Sequence, residues 1–162
     1  MVMERFARAR AVVRYNFVLS ASLDRTGTPR KVESVNHIEV LDALDVSARV
    51  EQLSLLRDGW HDGEGRAPMR DGLRWFATAW QSHWPSETPL PRLFPTLEGG
   101  VQAEWTIGQV SISAEVDLVT RLAALLVVKT QSGDIVTDET VNLASGEGWK
   151  TISRCLQSLN GP

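Results

Sequence analysis

Within Trp60-His61-Asp62-Gly63-Glu64-Gly65 stand one imidazole, two carboxylates and two glycines. Imidazole and carboxylate side chains ligate divalent metals and share general acid–base work, so His61, Asp62 and Glu64 are the candidates for a metal-assisted hydrolase or nuclease. Their spacing matches no metal-ligand signature. The leading reading is a tight turn, in which Gly59, Gly63 and Gly65 supply positive φ, Asp62 caps locally and Trp60 anchors the loop in the core. A second set of carboxylates, Glu104 and Glu115 with Asp117 nearby, falls on one face of two alternating segments. Paired carboxylates can divide acid and base roles. A solvated sheet face is the leading reading, because nothing in the pattern buries them. Motifs that cradle phosphate or present a nucleophilic serine are missing. Cys155 reads as packing filler rather than nucleophile, and His37 and His83 show no partner in the sequence.

Two further groups point to binding rather than chemistry. Of six tryptophans, Trp80, Trp84, Trp105 and Trp149 fall on apolar faces that packing explains. Trp75 falls about 100° off the stripe of its helix. Beside Arg74 it suits a protein interface, or it covers the edge of a sheet. Residues 1–35 hold seven basic residues, including Arg5, Arg8, Arg10 and Arg14, against three acids, whereas the remainder holds ten basic and seventeen acidic residues. A basic arm on an acidic body can contact nucleic acid. It can also pack on the body or on a second copy, which is the leading reading because the chain as a whole carries net charge -3.

The elements that would position these residues follow from periodicity. Apolar residues alternate from Val13 to Leu23, which predicts a strand that joins the sheet or mediates self-association, and residues 30–38 suit a second. Val46, Val50, Leu53 and Leu56 predict a helix capped by Asp45 and stopped at Gly59. Met69, Leu73, Phe76, Trp80 and Trp84 predict another, entered near Pro68 and ended by Pro85. Pro85, Pro89, Pro91 and Pro95 then mark a stiff connector. Val101 to Ile107 and Val110 to Asp117 alternate on either side of Gly108-Gln109, a two-residue turn with glycine first. This turn pairs Val101 with Val116, Ala103 with Ala114, Trp105 with Ile112 and Ile107 with Val110. A nearly all-apolar segment, 122–130, predicts a central strand. Residues 135–141 form the last strand, and Trp149, Ile152, Leu156 and Leu159 the stripe of a final helix.

The expected architecture is α+β: an antiparallel sheet of four or more strands with helices on one face, in a single domain over residues 1–162. That domain comprises a basic strand and hairpin region (1–40), a helical hairpin (45–84) and a sheet with a C-terminal helix (92–160). No apolar run is long enough to span a bilayer, no signal peptide is recognisable and a single cysteine precludes an internal disulfide, so a cytoplasmic location is expected.

The segments Gly59–Pro68 and Pro91–Trp105 together resemble a functionally uncharacterised family of small bacterial proteins. Its members carry a Trp-Asp-Gly-x-Gly-Ala-like turn before a helix and a Pro…Gly-Gly-(Ile/Val)-x-x-Glu-Trp strand. Trp60, Asp62, Gly63 and Gly65 match the first pattern, and Gly99, Gly100, Val101, Glu104 and Trp105 the second. His61 departs from it, inserted between Trp60 and Asp62. The resemblance implies a bacterial protein encoded among accessory genes of mobile elements. The function expected is a non-enzymatic protein-interaction or regulatory module, antitoxin- or immunity-like, with a protein partner and no cofactor. The alternatives are the metal-assisted enzyme of the His61 turn and nucleic-acid binding by the basic arm.

Overall fold

The computed structural model describes residues 46–160. They lie within Asp42–Pro162, one of two units into which the chain divides. The expected N-terminal strands, the basic arm with Arg5, Arg8, Arg10 and Arg14, and the Asp45 cap lie outside the described residues.

Alternation of apolar and polar residues builds a five-stranded antiparallel sheet whose strand order follows the chain. Its strands are β1 (Arg92–Pro95), β2 (Val101–Ile107), β3 (Val110–Val116), β4 (Leu122–Lys129) and β5 (Ile135–Asn142). Three helices, α1 (Val46–Ser54), α2 (Arg70–His83) and α3 (Gly146–Asn160), pack on it, giving the expected α+β class. The β2–β3 register pairs Val101 with Val116, Ala103 with Ala114, Trp105 with Ile112 and Ile107 with Val110, as the turn requires. Gly108 has φ 56°, whereas Gln109 stays at negative φ. That combination matches the right-handed twist of the flanking strands. A slip of one residue would turn Gln102 and Glu104 into the core, so burial and turn geometry enforce one register.

Three local expectations are corrected. The proline-rich connector contains a strand, β1, which pairs Leu93 with Ala103 and Pro95 with Val101. Proline is tolerated there because β1 is an edge and Pro95 needs no N–H on its open side. α1 ends at Ser54, and Leu55 and Leu56 close it with i→i−3 bonds to Gln52 and Leu53; Gly59 belongs to the following turn. Met69 is not part of the α2 stripe. It precedes the helix in extended conformation (φ −66°, ψ 132°) and is 56% exposed.

The core occupies one face of the sheet. Val50 and Leu53 of α1, Leu73, Phe76 and Trp80 of α2, and Trp149, Ile152 and Leu156 of α3 pack against Val101, Ala103, Trp105, Ile112, Ala114, Val116, Ala123, Leu125 and Val127. The alanines on β2, β3 and β4 leave room for rings. Trp149 lies 5.8 Å from Phe76 and 5.7 Å from Trp80, while Trp84 stacks between Trp80 (4.1 Å) and Trp105 (5.6 Å). Two of the buried indoles donate a hydrogen bond, from Trp105 Nε1 to the Pro89 carbonyl (2.9 Å) and from Trp149 Nε1 to the Leu143 carbonyl (3.0 Å). Such pairing is what makes burial of an indole N–H affordable.

Candidate functional site

The turn around His61 is a closed loop of main-chain bonds. Gly59 N–H donates to Gly65 O (2.7 Å), His61 N–H to Glu64 O (3.0 Å) and Glu64 N–H to His61 O (2.7 Å). Gly59, Gly63 and Gly65 have φ of 78°, 91° and 86°, and Asp62 joins them at 50°. A Cβ on Gly65 would meet Trp60 Nε1 at 2.7 Å, so glycine lets the indole lie over the turn and donate to Arg66 O (3.1 Å). Asp58, not Asp62, supplies the side-chain cap, accepting from Ala67 N–H at 2.9 Å. Asp62 and Glu64 are exposed and His61 is half-buried. Among the described residues no three His, Cys, Asp or Glu side chains are grouped to hold a metal ion.

On the sheet face opposite the helices, Glu104 stands across from Ser113 and Glu115 across from Gln102, which makes the two acids diagonal neighbours. Gln102 Nε2 donates to Glu104 Oε1 at 2.6 Å. Partial burial, and after it the charge of Glu98, pushes the Glu115 carboxyl above its ordinary value. The folded protein therefore keeps that proton to a higher pH than the unfolded chain. Ionised Glu115 costs stability above its folded pKa, and the cost disappears as pH falls below the unfolded value of about 4.3. Glu115→Gln is expected to raise the urea midpoint at pH 7 and to leave it nearly unchanged at pH 3. An equal shift at both pH values would show that packing, not charge, controls the site.

Arg74 is exposed and lies 3.5 Å from Asp71. Trp75 is half-buried, with the Arg121 guanidinium 5.1 Å from its ring centroid. Arg121 reaches it from the β3–β4 turn, where Asp117 Oδ1 accepts from Val119 N–H (2.8 Å) and Thr120 N–H (3.0 Å) and Arg121 takes φ 59°. Trp75 thus seals this corner of the core, and Val119 beside Arg121 in sequence is 72% exposed. Cys155 is half-buried; burial, then Glu139, raises its thiol pKa, which disfavours the reactive thiolate.

The flank formed by β4 and β5 was not singled out by sequence. β4 is apolar on both faces. Ala123, Leu125 and Val127 are buried under the helices, and Leu122, Ala124, Leu126 and Val128 lie half-buried on the opposite face. No helix or strand of the described residues packs on that face. β5 beside it exposes Ile135 (48%) and Val136 (52%). The unbroken apolar run from Leu122 to Val128 was the available signal: a sheet solvated on one face needs alternation, as β2 and β3 show, whereas a strand covered on both faces does not. No helix among the described residues is long and apolar enough to cross a membrane. No family model, curated protein or solved structure matches the chain, so its function is read from its own residues.

Proposed function

We propose that this protein works by binding another protein, as a regulatory module of a bacterial cytoplasm with an antitoxin- or immunity-like role, and that the flank formed by β4 and β5 receives the partner. One observation carries the proposal: β4 presents the half-buried Leu122, Ala124, Leu126 and Val128 on a sheet face that no helix among the described residues covers. Apolar surface left open in a folded chain marks an interaction site when it is contiguous. The resemblance to small bacterial proteins of mobile elements supports the cellular setting.

Affinity capture from the native cell with quantitative mass spectrometry tests it. The wild-type chain is expected to retain one stoichiometric protein, and Leu126→Lys to lose it. Leu126 is half-buried, so the change should cost only about 1 kcal/mol of stability. Retention by Leu126→Lys, with loss on Trp75→Ala instead, would move the site to the Trp75–Arg121 corner. Equal retention by both variants would sink the proposal for this flank.

A further inference from the structure

The two edges of the sheet are finished differently. β1 has four residues. Thr96 N–H donates to Gly100 O, and because bonded pairs alternate along an antiparallel ladder, Leu93 and Pro95 turn their main-chain groups away from β2. Pro95 has no N–H, and the Leu93 carbonyl accepts from Arg49 Nε at 2.9 Å. Burial holds the Arg49 pKa below its usual value. Short length, proline and a covering side chain are the devices that close an edge to pairing.

β5 has eight residues and no proline. Leu143 N–H donates to Arg121 O at 2.9 Å, and the register pairs Ala123 with Val141, Leu125 with Glu139 and Val127 with Thr137. By the same alternation, Val141, Glu139 and Thr137 bond to β4, while Asn142, Thr140 and Asp138 direct N–H and C=O outward. The Asn142 end lies against α3 at Gly148. Among the described residues nothing bonds to the outward main-chain groups of Asp138 or Thr140. At the other end the ladder shifts register between Val127 and Val128, which leaves Val136 outside the pairing and limits the open template to the strand's centre.

The chemistry of that centre selects its occupant. β5 carries Asp138 and Glu139 and no basic residue. Two β5 strands meeting about a twofold axis would set carboxylates against carboxylates, and like charges directly opposed destabilise a strand pair. A strand with lysine or arginine there would gain from the same acids. We infer that the β5 edge takes up an extended, cationic segment of a partner protein as a sixth strand, bonded main chain to main chain at Asp138 and Thr140. Ile135 and Val136 extend the contact with apolar surface. This deepens the interaction reading above and rests on it.

The test uses the full chain and three synthetic ten-residue peptides: one alternating valine with lysine, one alternating valine with glutamate, and the lysine peptide N-methylated at alternate amides. The lysine peptide is expected to bind, more weakly as salt rises, and to slow amide exchange at Asp138 and Thr140 at least about tenfold. The other two should not. Thr140→Pro removes an N–H that β4 does not use, so it should weaken binding about tenfold or more with the unfolding midpoint held. The methylated peptide gives the same answer without altering the protein. The double variant Asp138→Lys, Glu139→Lys should reverse the preference to the glutamate peptide. Equal binding of both charged peptides, no effect of peptide methylation, slow exchange of Asp138 and Thr140 in the free monomer, or a self-associated chain with β5 covered would each overturn the inference. Partner capture lost on Leu126→Lys alongside no peptide binding would leave the interaction reading standing and remove only the added strand.

Discussion

Replacing Trp149 with alanine is expected to lower the unfolding free energy by about 3–5 kcal/mol, the range for truncating a buried aromatic side chain. Trp149 is 1% exposed and touches three rings, Phe76 and Trp80 of α2 and Trp84 just past its end. Its Nε1–H also supplies the side-chain bond to the Leu143 carbonyl. Alanine would remove the ring, open a cavity and leave that acceptor without its indole. Rings held by one another cannot collapse far into the gap, which places the loss toward the upper end. With total stabilities of about 5–15 kcal/mol for domains, so large a loss is a substantial part of the whole. Urea denaturation followed by far-UV circular dichroism measures it. Trp149→Phe narrows the terms, since it loses the indole hydrogen bond but keeps most of the volume and leaves a smaller cavity than alanine. A loss below about 1 kcal/mol for alanine would mean that α3 is not packed through this residue.

Gly148→Ala should destabilise by at least about 2 kcal/mol, although alanine is the better helix former by about 1 kcal/mol. The two effects oppose each other, and geometry decides between them. Gly148 sits in the first turns of α3, where a Cβ would overlap the Asn142 carbonyl oxygen and lie 2.6 Å from the carbonyl carbon. Both are main-chain atoms of β5, which no rotamer change can move. Relief requires α3 to back away from the strand, and that motion pulls Trp149 out of its cluster. The expected signature is a lowered midpoint with weakened near-ultraviolet dichroism of the tryptophans. A gain in stability would show that the close approach of α3 to β5 is absent in solution.

Much of the fold was legible because its signals were local. The β2–β3 register followed from a glycine-first turn and strict alternation. Trp149, Ile152 and Leu156 lie on one face of a 3.6-residue helix, and all three are buried. β1 was hidden because its prolines argue against a strand except at an edge, and being at an edge depends on β2, which follows in the chain. Met69 kept the apolar spacing but not the rotation, since the helix begins one residue later. The Gly99-Gly100 pair was visible as a turn, yet its two glycines serve different ends. Gly99 takes φ 86°, while Gly100 stays bare because a Cβ would sit 2.5 Å from the Val116 carbonyl oxygen.

The residues bearing on function divide the same way. By itself the sequence determined the three helices and strands β2 to β5, the hairpin register, the inward faces of β2 and β3 and the positive-φ turn around His61, all from contacts between residues close in the chain. Only the tertiary structure decided that Arg121 covers Trp75, that Arg49 closes the β1 edge, and that β5 stands at the other edge with Asp138 and Thr140 turned outward. Periodicity reports which side of an element is apolar. It carries no information on which element arrives to cover that side, because that is settled by packing between residues far apart in sequence.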